Sequence, residues 1–131
     1  MKPKKEPFTG RLIVLVDSET ASAAEMFARI VQLEKRGVVL GDRTAGAVMT
    51  ARIFSHASGI AEMVFYGAMV TVSDVRMSDG ASLEKVGVIP DETALPLPAD
   101  LQARRDPVLA KALTMAGAPT TPDEAAKLFH R

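Results

Sequence analysis

Two apolar runs near the start of the chain, Leu12–Val16 and Val38–Leu40, contain no alternating polar position. Unbroken runs of Leu, Ile and Val of this length predict strands buried on both faces, as in parallel sheets. Between them the pattern changes to a helical period, from Ala23 to about Lys35. Its polar residues Glu25, Arg29, Gln32 and Arg36 are spaced by four, three and four, which makes one narrow stripe with a Glu25/Arg29 pair along it. Apolar residues such as Met26, Phe27, Ile30, Val31 and Leu33 cover the rest of the circumference. That predicts a helix covered on more than one side. Lys35-Arg36-Gly37 closes it with basic residues and a glycine. Strand, helix and strand within about thirty residues make a right-handed βαβ unit.

From Val48 onward the texture is different. Met49–His56 and Met63–Met77 are rich in Val, Ile, Phe, Thr and Met with partial alternation. They predict antiparallel strands, with turns at Ala57-Ser58-Gly59 and Tyr66-Gly67. Ser78–Ser82 reads as a loop. Gly87–Glu92 reads as an extended segment that Pro90 keeps away from a central strand. Leu95-Pro96-Leu97-Pro98 reads as an extended linker. Asp106-Pro107 starts a helix running to Ala116, and Thr121-Pro122 starts a last short one. There is no internal repeat.

With 131 residues, of which 47% are apolar and 24% charged, the chain has room for one domain with a proper core. Sixteen basic residues balance sixteen acidic ones, which gives no support for nucleic acid or an anionic membrane as partner. The absence of cysteine excludes disulfides and thiolate chemistry. No apolar run is long enough to span a membrane. Residues 1–9 read as a basic, flexible lead-in without the apolar segment of a signal peptide. No metal or cofactor motif is present.

The candidate chemistry lies where the first strand hands over to the helix, at Val16–Glu25. A strand-to-helix turn of this kind lies at the carboxyl edge of a sheet, where α/β proteins place their sites. Ser22 falls at the first turn of the helix, beside unpaired N–H groups and the positive end of the helix dipole. The Ala23 N–H could serve an oxyanion, as in other strand-turn-serine-helix nucleophiles. Ser22-Ala23-Ala24-Glu25 is equally an S-x-x-E capping box that needs no function, in which case Glu25→Ala costs about 1 kcal/mol. Arg43–Ala47 is a loop of small residues that a ligand could approach closely, or a plain connection.

The sequence resembles the C-terminal processing, or tail-specific, serine proteases and their tricorn-core and retinoid-binding-protein relatives. The residues that carry the likeness are Leu12–Asp17, Thr20–Phe27, Val39–Gly46, Gly87–Asp91 and Arg105–Leu113, in that order and spacing. The resemblance implies a Clp-protease/crotonase-like α/β superhelix. Residues 10–117 would then be the C-terminal part of a protease catalytic domain, and 118–131 a short C-terminal helix. It implies Ser22 as nucleophile, the Ala23 N–H as part of the oxyanion hole, Thr44, Ala45, Gly46 and Ala47 as substrate-binding residues, and no cofactor or metal. A peptide or protein is the implied partner, and a homo-oligomer is left open. Family members are often exported or periplasmic.

Two departures qualify this. The tail-specific branch has a lysine base in a T-F-G-K segment, and here that segment is Thr44-Ala45-Gly46-Ala47. Ala47 has no titratable group, so a Ser/Lys dyad is excluded at that position. The tricorn-like branch takes its base from a histidine far upstream, held through a second serine by a glutamate before its G-V-x-P-D segment. Glu84 is the candidate for that glutamate, or else a solvated loop carboxylate. The upstream histidine and its glycine pair have no counterpart here, which gives the chain the look of the C-terminal half of a protease domain or of a degenerate relative. His56 and His130 match no family position. Three readings follow: a serine endopeptidase segment of the tricorn-like branch, a non-catalytic peptide- or apolar-ligand-binding relative, and another crotonase-like enzyme such as a thioester hydratase or isomerase. The Ser22, Gly-Val-x-Pro-Asp and Arg-Asp-Pro pieces do not belong to the third.

Overall fold

A computed structural model of the chain describes residues 6–128. The two apolar runs form parallel strands, β1 (Ile13–Val16) and β2 (Val38–Gly41), paired in the register Ile13↔Val38 to Val16↔Gly41. Helix α1 (Ala23–Leu33) connects them, and a two-residue edge strand at Glu92–Thr93 extends the sheet beyond β2, also in parallel. We number this edge strand β5, because the hairpin β3 (Thr50–Ser58) and β4 (Val64–Ser73) precedes it in the chain. The core lies between α1 and the sheet. Val16, Ala28, Val31 and Val39 pack there with Val48, Met77, Leu83 and Val88 from the segments that fold back over the helix. The expected parallel neighbours and the helix between them are therefore in place.

The helix departs from expectation in the Glu25/Arg29 pair and in the cover over Phe27 and Ile30. Its polar stripe faces protein, not solvent. Gln32 Nε2 donates to the Ile89 carbonyl at 2.9 Å and to Asp91 at 3.0 Å, and Arg29 pairs with Asp79 at 2.6 Å. Arg36 donates to the Phe8 and Gly10 carbonyls and lies over the Phe8 ring. Glu25 makes no pair with Arg29 and turns to the Thr44–Ala47 loop. Phe27 and Ile30, expected to be covered, are 52% and 47% exposed. The cause is the segment from Asp79 to Asp91, whose carbonyls and carboxylates offer acceptors that an apolar face could not satisfy. Asp91 also receives the Val39 N–H at 2.8 Å, so it clips α1, β2 and the strand-entry segment together.

The hairpin β3–β4 is antiparallel, with Ser58↔Val64 as its last pair before the loop. The turn expected at Tyr66-Gly67 is absent. Gly67 lies within β4 opposite Ser55, and the reversal is made by 59–63, opened by Gly59 at φ 143°. One glycine among strand formers weakens a strand without ending it. Both faces of the hairpin are exposed. Ile53, Phe65 and Met69 stand on one face, while Phe54 and the stacked His56/Tyr66 pair stand on the other.

The Leu-Pro-Leu-Pro stretch is not wholly extended, since Pro98 begins a short helix, α2 (Pro98–Gln102). A proline at the first helical position lacks only an N–H that would have had no partner. Helices α3 (Pro107–Met115) and α4 (Pro122–Lys127) start at Asp106 and Thr121 caps, and pack together through Leu109, Ala110, Leu113 and Ala125. No helix among the described residues is long and apolar enough to cross a membrane. His130 and residues 1–5 of the lead-in lie outside the described residues.

Candidate active site

The turn after β1 is folded by its own side chains. Asp17 accepts from the Thr20 N–H at 2.8 Å, the Glu19 N–H at 3.1 Å and the Thr20 hydroxyl at 2.8 Å. The Thr20 hydroxyl in turn receives the Asp17 N–H at 3.0 Å. The Thr20 hydroxyl, reinforced by these N–H groups, outweighs the upward push of burial and holds the Asp17 carboxyl below its ordinary range. This D-x-x-T closure fixes the entry to α1.

Ser22 follows at φ 58°, ψ −123°. That is a sparsely populated conformation for a residue with a side chain, costing about 1–3 kcal/mol. It persists because the Ser22 N–H is held from two sides, by the Ala47 carbonyl at 3.0 Å and Glu25 Oε2 at 3.0 Å. The capping box is only half made, because Glu25 caps the Ser22 backbone while the Ser22 side chain makes no cap bond. Among the described residues, no hydrogen bond engages Ser22 Oγ or the Ala23 N–H, and both residues are exposed. The hydroxyl and the first free amide of the helix are thus available side by side at the carboxyl edge of the sheet.

Glu25 is the buried centre of the arrangement, with no exposed surface. Oε1 accepts from the Thr44 hydroxyl at 2.5 Å and the Gly46 N–H at 2.8 Å, and Oε2 from the Ala47 N–H at 2.9 Å as well as from Ser22. Burial pushes its carboxyl up, but the Thr44 hydroxyl and the Ala47, Gly46 and Ser22 N–H groups outweigh that and hold it below the usual glutamate range. A cap worth about 1 kcal/mol is too small a role for it.

The 44–47 loop is accordingly split. Thr44 and Gly46 are buried, with the Thr44 hydroxyl and the Gly46 N–H committed to Glu25, and Ala45 and Ala47 are exposed. The Ala45 N–H donates to the Thr20 carbonyl at 3.0 Å, which ties the loop to the Ser22 turn. Thr44 Oγ1 also receives the Val88 N–H at 2.6 Å. This packing needs Gly87, whose φ is 71° and where a Cβ would overlap the Thr44 carbonyl oxygen. Gly87→Ala is expected to cost about 2–3 kcal/mol in urea unfolding, from strain and overlap together. A loss under 0.5 kcal/mol would show that the loop yields freely.

Glu84 is half-buried and accepts the Val48 N–H at 2.9 Å through Oε2, just beyond the same loop. It does not touch Ser22. His56 lies in the hairpin, stacked on Tyr66 with centroids 5.6 Å apart. Among the described residues no basic side chain is hydrogen-bonded to Ser22. A cavity of about 440 Å³ flanks the turn on its Asp17–Thr20 side, between β1, Asp42, Leu95 and Leu109. The Thr44–Ala47 loop does not line it.

Comparison with known proteins bears on this geometry. The model of peptidase family S41 matches residues 1–94. A chloroplastic C-terminal processing peptidase from Tetradesmus obliquus is 38% identical over 95 residues, covering 70% of this chain and 19% of that protein. A putative tricorn protease homolog 2 from Streptomyces coelicolor is 33% identical over 109 residues, 82% of this chain and 9% of the relative. Mature CPAF complexed with lactacystin shares the fold at TM-score 0.65 and 21% identity, over 76% of this chain and 18% of that one. The chain spans about a fifth or less of the length of the curated relatives it matches.

Proposed function

Because this chain belongs to peptidase family S41, we propose that it carries the nucleophile and half of the oxyanion hole of a serine peptidase acting on peptides or proteins. Ser22 Oγ attacks the scissile carbonyl carbon as a base takes its proton. The carbonyl oxygen gathers negative charge against the Ala23 N–H and the α1 N-terminus. The amine leaves with a proton, and water then hydrolyses the acyl-serine. The observation that carries this reading is the Ser22 backbone at φ 58°, ψ −123°, with a free hydroxyl beside a free Ala23 N–H. A residue serving only as a cap would use its side chain on the helix, and Ser22 does not.

The base lies outside the described site. Ala47 has none to offer, and Glu84, with Oε2 on Val48, has its other oxygen available to orient one. Ala45 and Ala47 are the loop residues placed to touch substrate, with Thr44 and Gly46 behind them as scaffold. The parallel sheet and α1 fit one βαβ turn of a Clp-protease/crotonase-like superhelix. The alanine at position 47 favours a second reading, a non-catalytic relative that binds peptide beside this turn.

Fluorophosphonate labelling separates the two. The chain alone should label slowly at Ser22, and added imidazole should accelerate labelling by about 10-fold or more by standing in for the base. Ser22→Ala should remove all labelling. Labelling that imidazole does not change, or that survives Ser22→Ala, would favour the binding relative.

A further inference from the structure

The loop contacts of Glu25 exceed what a helix cap requires. Three of its four donors, the Thr44 hydroxyl and the Gly46 and Ala47 N–H groups, belong to a segment about twenty residues away, and the fourth is the backbone of Ser22 itself. We infer that Glu25 is a positioning residue: its buried carboxylate locks the Ser22 backbone to the Thr44–Ala47 loop, so that Ser22 Oγ and the Ala23 N–H face outward together. The inference rests on the nucleophile reading of Ser22 and says how the site is held in shape.

Chemistry explains why the residue is a glutamate. Each oxygen accepts from two donors, and no donor is asked of it. A carboxylate supplies acceptors only. A glutamine would bring an NH₂ against two donors whichever way it turned, Gly46 and Thr44 on one side or Ser22 and Ala47 on the other. The Gly46, Ser22 and Ala47 amides cannot rotate away, being backbone. An aspartate has the charge and lacks the reach. No charged partner is in hydrogen-bond contact with Glu25 among the described residues, and the acidic side chain next to this loop, Glu84, accepts the Val48 N–H.

A merely structural role and a positioning role differ in one measurement. The 131-residue chain, Glu25→Gln and Glu25→Asp are labelled with a fluorophosphonate in the presence of imidazole, at a urea-free pH where circular dichroism shows all three folded. Positioning predicts labelling of Ser22 at least about 10-fold slower in both variants at equal folded fraction. It also predicts that the Ser22 HN–Hα coupling departs from its positive-φ value. Gly46 and Ala47 amides should lose protection from exchange while Val39, in the sheet, keeps it. A folded variant that labels at the wild-type rate overturns the inference. Should wild type itself fail to label with imidazole, the nucleophile reading falls, and the Ser22 coupling decides: an unchanged coupling in Glu25→Gln overturns the lock too. If neither variant folds, wild type is titrated by NMR. The Ser22, Gly46 and Ala47 amide shifts should then move with the Glu25 carboxyl carbon, and separate midpoints overturn the inference.

Discussion

Ala47→Lys is expected to raise the rate at which Ser22 reacts with a fluorophosphonate by on the order of 10²-fold. The exposed Ala47 is bonded through its carbonyl to the Ser22 N–H at 3.0 Å, so a side chain there starts beside Ser22. Its φ is not among the positive ones, and the backbone N–H that serves Glu25 is retained on substitution. The position is also the one at which the resemblance to tail-specific proteases implies a lysine. A lysine acts as a base only in its neutral form, and its ordinary pKa is about 10.4. The gain should therefore grow as pH rises above neutrality. The imidazole effect should shrink, because the site would then own a base. Ala47→Met controls for bulk, and Ser22→Ala in the lysine background should return the rate to zero. If Ala47→Lys labels no faster than Ala47→Met at pH 9, Oγ and residue 47 do not face a common point.

The parts of this site that the sequence exposes are those whose partners are close in the chain. β1, β2 and α1 follow from periodicity, and the Ser22 turn follows from the handover of an apolar run to a helix and from the S-x-x-E spacing. Glu25 was hidden by that same spacing. A local cap satisfied the pattern, while three of its four donors come from residues 44–47. Periodicity has no means of stating a partner at that separation. The α1 stripe misled for a related reason. Polar residues at helical spacing look alike whether they meet water or the Ile89 carbonyl and Asp91, and only the fold-back of 79–91 decides between them. Glycine misled in the opposite sense, since Gly67 stays in its strand while Gly87 sets the packing against Thr44.

Glu25→Ala should lower the unfolding free energy by about 3 kcal/mol, well beyond a lost cap. The substitution strands the Thr44 hydroxyl and the Gly46 and Ala47 N–H groups, each worth about 1–3 kcal/mol if left dry. Ser22 keeps its bond to the Ala47 carbonyl, and water can enter beside the exposed Ala47, so the sum is not reached. The effect should also carry a pH signature. In the unfolded chain a glutamate titrates near its ordinary value of 4.5, and in the folded chain the hydrogen bonds hold Glu25 lower. Above 4.5 both states are ionised and the contribution is complete. As pH falls below 4.5 the unfolded chain takes up the proton first, so stability drops until the folded carboxyl is protonated as well. Asp17 and Asp79, also held low by Thr20 and Arg29, add to the acid loss in wild type and variant alike and cancel in the difference. The gap between wild type and Glu25→Ala should therefore be constant from pH 7 to pH 5 and narrow below that. Urea midpoints along this range measure it. A gap near 1 kcal/mol, or one that does not narrow in acid, would mean that the four bonds to Glu25 contribute no more than an ordinary helix cap.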